Sequence, residues 1–200
     1  FSTILELASY FFTVLLVLII HFFLTYGSLL FLLTKVKLVY FYSKMKNAIL
    51  FAFSTASSAA TIPVTLKTVE EELKVAKSVA SFSVPLGATI NMDGTAIMQG
   101  VATIFIANAY GINLEISDFI SVIMVATLAS IGTAGVPGFG LIILAMVLNQ
   151  VGLPTEGIAL IIGIDRLLDM TRTAVNVTGD ATISCVVASS EKKINYNYKE

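Results

Sequence analysis

Formal charge is scarce in this chain. Of its 200 residues 12% are charged and 56% are hydrophobic, whereas soluble domains carry about 25% charged residues. That deficit excludes an ordinary soluble domain and places the chain in the membrane class. Charge is missing altogether from Leu7 to Thr34 and from Phe119 to Thr155. Both runs exceed the roughly 20 residues that a helix needs to cross the hydrocarbon core. The single cysteine, Cys185, excludes an intrachain disulfide and a Cys-rich metal site; it reads as a small packing residue. A net charge of −1 offers nothing to a nucleic acid. The first residue is Phe1 and no basic n-region precedes the opening apolar run, so that run is not a signal peptide. The chain is expected to lack its natural front end.

What is present reads as helix nearly throughout. The expected order is a transmembrane helix over 5–34, a re-entrant hairpin over 44–77, a broken transmembrane helix over 78–109, a second re-entrant hairpin over 118–150, a transmembrane helix over 156–189 and a cytoplasmic tail over 190–200. His21 lies within the first helix, where no second titratable residue is near in sequence, and reads as a packing residue rather than a proton relay. The hairpins rest on two small-residue centres, "FSTASSAATIP" (Phe53 to Pro63) and "SIGTAGVPGFG" (Ser130 to Gly140). With about eight residues given to the second apex, each leg keeps about 14 or 15, short of a crossing. Irregular backbone at membrane depth is tolerated only against protein or a water-filled cavity.

Lysine placement gives the orientation, because positive charge gathers on the cytoplasmic side. With the first helix running inward, Lys35, Lys37, Lys44, Lys46, Lys67, Lys74, Lys77, Lys192, Lys193 and Lys199 all fall inside. The two loops expected outside, around Leu114 and Pro154, hold no Lys or Arg. Two full crossings would give the same parity, so this rule speaks for orientation and not for re-entry. A hairpin followed by a crossing helix occurs twice in opposite senses, the inverted-repeat pattern of secondary transporters.

The scarce charge is concentrated in "GIDRLLDMTRTAVNVTGD", Gly163 to Asp180. Asp165, Asp169, Arg172, Asn176 and Asp180 are spaced 4, 3, 4 and 4 apart, so on a helix turning about 100° per residue they share a face. Arg166 and Thr173 lie to one side of it. A charge at the bilayer centre costs about 2.5–3.5 kcal/mol on insertion scales, so this stripe must look into protein or water. Either it is a structural ion-pair network, or it binds a zwitterionic or anionic solute together with cations. The second reading is preferred, since a hydrophobic interface would hold helices together better than buried pairs. A guanidinium offers bidentate bonds to a carboxylate, Asp169 can accept from an ammonium, and Asp180 is a hard oxygen ligand for a small cation. Asp93, in "NMDG", is a further intramembrane acid, and the adjacent Gly94 is expected to permit local unwinding.

Together, "STASSAATIPVT", "GATINMDGTA", "SIGTAGVPG" and "DRLLDMTRTAVNVTGD" resemble, in order, the signatures of the glutamate transporter family, the dicarboxylate/amino acid:cation symporters. The resemblance covers essentially the whole chain and implies the family's C-terminal transport half: an all-α integral membrane fold with two re-entrant hairpins in an inverted repeat. It implies that Arg172 binds the substrate side-chain carboxylate, oriented by Asp165. Asp169 would take the α-ammonium, assisted by Thr173 and Asn176. Ser58, Gly135 and Val136 would hold the α-carboxylate, with Thr95 near the substrate side chain. For sodium it implies three sites: Asp180 with carbonyls of Gly87, Asn91 and Asn176; carbonyls of Thr89, Ser130, Ile131 and Thr133, with Met92 between sites; and Asp93 with the Asn91 side chain.

The resemblance also implies Na+-coupled symport of L-aspartate or L-glutamate across the cell (plasma) membrane by a multi-pass, lipid-embedded homotrimer. Neutral-amino-acid relatives lack the arginine at Arg172, and plain-dicarboxylate relatives lack the acid at Asp169; this chain keeps both. Gln99 stands where animal potassium-coupled members have glutamate, and Ala56 where some archaeal members have arginine. The scaffold helices one to five have no counterpart in these residues. A C4-dicarboxylate symporter, and a non-transporting remnant that binds substrate or assembles with intact subunits, remain alternatives. An enzymatic alternative, an intramembrane aspartyl protease built on Asp93 and Asp180, fits the signatures poorly.

Overall fold

The computed structural model describes residues 2–196, so the last four residues of the expected 190–200 tail, Lys199 included, lie outside the described residues. Among the described residues the structure is helical, apart from one isolated antiparallel bridge between Val75 and Ile194. The helices are α1 (Ser2–Ile20), α2 (Tyr26–Leu33), α3 (Leu38–Thr55), α4 (Ser58–Lys67), α5 (Lys77–Ile90), α6 (Asp93–Ala109), α7 (Ile116–Ser130), α8 (Phe139–Gln150) and α9 (Ile158–Ser190). A π turn, His21–Thr25, joins α1 to α2, so that Ile4–Leu33 is one apolar helix long enough to cross a membrane.

That π turn has a geometric effect. Five residues along an α-helix turn the direction by about 500°, which would leave His21 and Tyr26 well off a common face. The wider i to i+5 turn, closed by the Tyr26 N–H on the His21 carbonyl, brings both side chains to the same side.

α3 and α4 form a helical hairpin. The break comes from Ala56, held in the left-handed region at φ 51°, followed by Ser57, whose side chain accepts from Ala60 N–H and caps α4. α7 and α8 form a second hairpin, opened by a capping box between Glu115 and Asp118. Its tip, 131–138, contains Gly132 and Gly138 at φ 82° and 77°, a conformation that side chains with a Cβ rarely take. The legs of this second hairpin have 15 and 12 residues, about 22 and 18 Å at 1.5 Å per residue. Neither reaches across a hydrocarbon core about 30 Å thick.

α5 and α6 are separated only by Asn91 and Met92, whose backbones leave the helical region. The local unwinding expected beside Asp93 falls at these two residues, just before Gly94, which is already helical. What requires a glycine there is close approach, since a Cβ would lie 2.8 Å from Asn176 Oδ1 and 3.1 Å from the Arg172 carbonyl.

The 33-residue α9 runs through the centre and packs on helices of both hairpins and on the broken helix. Two apolar clusters flank it. One joins Phe41, Met45, Leu73, Val84, Val177 and Cys185; the other joins Tyr10, Leu18, Met98, Ile106, Leu144 and Leu168. The polar face of α9 lies in the seam between them.

Candidate functional site

The stripe on α9 faces inward along its length. Asp165, Asp169, Arg172, Thr173, Asn176 and Asp180 are all buried, Arg172 to 1% exposure, while Arg166, off the stripe, is exposed. Burying a guanidinium demands partners, and α9 itself supplies them. Arg172 donates through Nη1 to Asp165 Oδ1 at 3.0 Å and through Nη2 to Asp169 Oδ1 at 2.9 Å, with a longer 3.5 Å contact to Asp165 Oδ2. Its Nε is buried without an acceptor. Gly140, on α8, comes so close that a Cβ there would lie 3.2 Å from Nη2.

The hairpin tips meet each other in front of this stripe. The Gly135 carbonyl accepts from Ser57 Oγ at 2.7 Å and from Ala59 N–H at 3.1 Å. Gly138 N–H donates to Asp169 Oδ2 at 2.9 Å, tying the second tip to α9. Gly132 N–H donates to the Thr89 carbonyl at 2.8 Å, tying it to the broken helix. Between the tips, α6 and α9 lies a cavity of about 20 Å³, lined among others by Ser58, Thr95, Gly135, Val136, Asp169 and Asn176. That is room for about one water. Thr173 lines it too, its hydroxyl donating to the Asp169 carbonyl at 2.8 Å.

Deeper along α9 the broken helix docks on Asn176 and Asp180. Asn176 Oδ1 accepts from Gly94 N–H at 2.8 Å, filling one of the amide bonds that a helix start leaves open. Asn176 Nδ2 points to Met92 Sδ at 3.2 Å and Thr95 Oγ1 at 3.4 Å. Asn91 Nδ2 donates to the Asn176 carbonyl and to Asp180 Oδ1, both at 3.2 Å. Gly87 packs directly on the Asp180 carboxylate, where a Cβ would lie 2.6 Å from Oδ1. So Gly87, Asn91, Asn176 and Asp180 are brought together.

The other two expected cation groups assemble differently. Thr89 meets the second hairpin, but through the Gly132 N–H bond to its carbonyl. The Ser130 carbonyl accepts from Thr133 N–H at 3.1 Å, and Ile131 extends from the helix end with its side chain exposed. Asp93 does not pair with the Asn91 side chain. Its Oδ2 accepts from Tyr26 OH at 2.7 Å and lies 2.5 Å from His21 Nε2, while its Oδ1 is buried without a partner. An orphaned buried carboxylate oxygen suits a hard cation. His21, read from sequence as a packing residue, therefore contacts an acid that is 72 positions away. Asp93 and Asp180 each have partners of their own and are not hydrogen-bonded to each other.

Sequence reasoning also missed Ser57, Gly138 and Tyr26. Small polar residues in the tips were visible, but not which of them would cross to the other hairpin.

The model of the sodium:dicarboxylate symporter family matches residues 1–190. The chain belongs to that family. It is 44% identical to excitatory amino acid transporter 2 of Homo sapiens over 176 residues, which are 88% of this chain and 31% of that protein. It is 47% identical to the putative sodium-dependent excitatory amino acid transporter glt-3 of Caenorhabditis elegans over 175 residues, 88% of this chain and 33% of that protein. With excitatory amino acid transporter 3 of Mus musculus the identity is 44% over 188 residues, 94% of this chain and 36% of that protein. This symporter-family chain thus spans about a third of the length of the curated relatives it matches.

Proposed function

We propose that the chain is the substrate- and ion-binding part of a sodium-coupled symporter of acidic amino acids, aspartate or glutamate. The observation that carries the reading is the buried Arg172, bonded to Asp165 and to Asp169, which itself lines the cavity between the two hairpin tips. A zwitterion with a side-chain carboxylate fits this triad by exchange. Its side-chain carboxylate replaces Asp169 on the Arg172 guanidinium, and the released Asp169 accepts its ammonium, which leaves the α-carboxylate to neutral donors of the tips. Asp165 holds the guanidinium throughout.

An amino acid needs more than the cavity of about 20 Å³, so admission requires displacement of the 131–138 tip. Its attachments, Gly138 to Asp169, Gly132 to Thr89 and Gly135 to the first tip, touch both the substrate triad and the cation groups. Ser58, Gly135 and Val136 would then hold the α-carboxylate, with Thr95, Thr173 and Asn176 completing the pocket. Sodium is cargo in this reading, drawn to Asp180 with Gly87, Asn91 and Asn176, to the carbonyls of Thr89, Ser130, Ile131 and Thr133 near Met92, and to Asp93. Coupling follows where sodium favours the closed, substrate-loaded arrangement.

The same reading takes both hairpins as re-entrant and the two hairpin-plus-helix units as an inverted repeat. The short legs of α7 and α8 support re-entry of the second hairpin, and the one-sided lysines support the orientation. It also takes the working protein as a trimer in the plasma membrane whose transport domain slides as an elevator.

The test is calorimetry of the full chain with aspartate, glutamate and succinate across a sodium titration. Expected are sodium-dependent binding of the amino acids, weak binding of succinate, and abolition of both by Arg172→Ala. A response independent of sodium would overturn the coupling, and preference for succinate would make it a dicarboxylate carrier. Flux into liposomes separates a transporter from a protein that only binds.

A further inference from the structure

At the base of the first hairpin, away from the site above, lies a cavity of about 520 Å³ lined by Ser43, Lys46, Asn47, Lys67, Thr68 and Glu71, with Lys44 and Glu72 on its wall. Lys44 and Glu72 neutralise each other at 2.8 Å. That leaves Lys46 and Lys67 against one further carboxylate, Glu71, in a lining that also includes Ser43, Asn47 and Thr68.

The surface of α3 shows what this cavity adjoins. Val39, Ser43, Lys46, Leu50 and Phe53 follow one another at spacings of 4, 3, 4 and 3, so they share a helix face, and all five are exposed. Polarity switches along that face. Ser43, Lys46 and the neighbouring Asn47 are polar, while beyond them come the exposed apolar side chains of Leu50, Phe51 and Phe53. A switch from lysine and amide to leucine and phenylalanine within one turn marks the level where headgroups give way to acyl chains. The cavity sits on the headgroup side of it, at the lysine-rich end of the molecule.

We propose that this cavity is a binding site for an anionic phospholipid of the inner leaflet. Its phosphate lies between Lys46 and Lys67 and accepts from the Asn47 amide, and one acyl chain runs along Leu50 and Phe53. Basic pockets between helices on the cytoplasmic side recognise anionic headgroups in this way. The proposal rests on the membrane orientation given above. It also bears on function, because the lipid would seat the base of a hairpin whose tip meets Gly135.

The test uses the full chain in neutral detergent, titrated with dioctanoyl phosphatidylglycerol, dioctanoyl phosphatidylcholine and inorganic phosphate. Phosphatidylglycerol is expected to bind roughly tenfold more tightly than phosphatidylcholine. The preference is expected to vanish in Lys46→Gln/Lys67→Gln and to survive in Lys192→Gln, which removes a charge from the same end outside the cavity. Leu50→Ala/Phe53→Ala should weaken both lipids alike. Equal binding of the two lipids, an equal loss in Lys192→Gln, or displacement of the lipid by inorganic phosphate at matching concentration would each overturn the proposal. Aspartate calorimetry on the same samples separates the outcomes: intact sodium-dependent binding without lipid preference sinks the lipid site alone.

Discussion

Asp169 holds two bonds that a bound amino acid would have to share, one from Arg172 and one from Gly138 N–H. Its role can be separated from that of Asp165, because Arg172 keeps Asp165 when Asp169 loses its charge. Asp169→Asn removes the acceptor for an ammonium and also a competitor for the guanidinium. Hydrogen bonds to charged groups contribute about 1.5–3 kcal/mol, so aspartate affinity at saturating sodium is expected to fall by roughly ten- to a hundredfold. Succinate, which has no ammonium, should hold or gain. An equal loss for both ligands in calorimetry would mean that Asp169 is only a structural partner of Arg172. At this scale the sequence was informative about one helix, because a 4-3-4-4 spacing fixes a face without knowledge of its surroundings. It could not reveal that Asp93 would meet His21 and Tyr26, 72 and 67 positions away, since those contacts depend on a π turn and on the crossing of two helices.

Elements meet closely here because glycines stand at the crossings. Gly94 lies under Asn176 and the Arg172 carbonyl, whereas Gly100, six residues further along α6, has nothing within 4 Å of where a Cβ would stand. The pair gives opposite expectations for one change. Gly94→Ala forces α6 and α9 apart and is expected to destabilise by about 1–3 kcal/mol, the usual effect of overpacking. Gly100→Ala fills open space in a helix and is expected to stabilise by about 0.5–1 kcal/mol. Unfolding in a titration of sodium dodecyl sulfate would read both, and equal signs would refute the close-approach role of Gly94. The small-residue tips were legible as breaks in apolar runs, since a helix cannot continue easily through "GTAGVPG". Their mutual contact through Ser57 and Gly135 was not, because a glycine carbonyl carries no sign of its partner.

For the molecule as a whole, the order of elements could be read from where apolar runs stop, but the joining of the segment after α9 to the loop after the first hairpin could not. After α9 the chain turns through Lys192 at φ 55° and lies back against the loop that follows the first hairpin. Ala76 N–H donates to the Lys193 carbonyl at 2.8 Å, and Asn195 N–H to the Lys74 carbonyl at 3.0 Å, on either side of the Val75–Ile194 bridge. Val75 and Leu73 are buried beneath this contact and belong to the same apolar cluster as Val177 and Cys185 on α9. The base of the first hairpin is thereby clamped to the end of the helix that carries the charged stripe. Asn195→Pro deletes one of the two amide donors while leaving the apolar cluster in place. Hydrogen exchange over 69–76 is expected to quicken by roughly tenfold as this segment opens locally, with protection over 165–180 unchanged. If 69–76 kept its protection, the segment would be held by its burial alone, and the backbone pairing of the two segments would contribute nothing to fixing the first hairpin on α9.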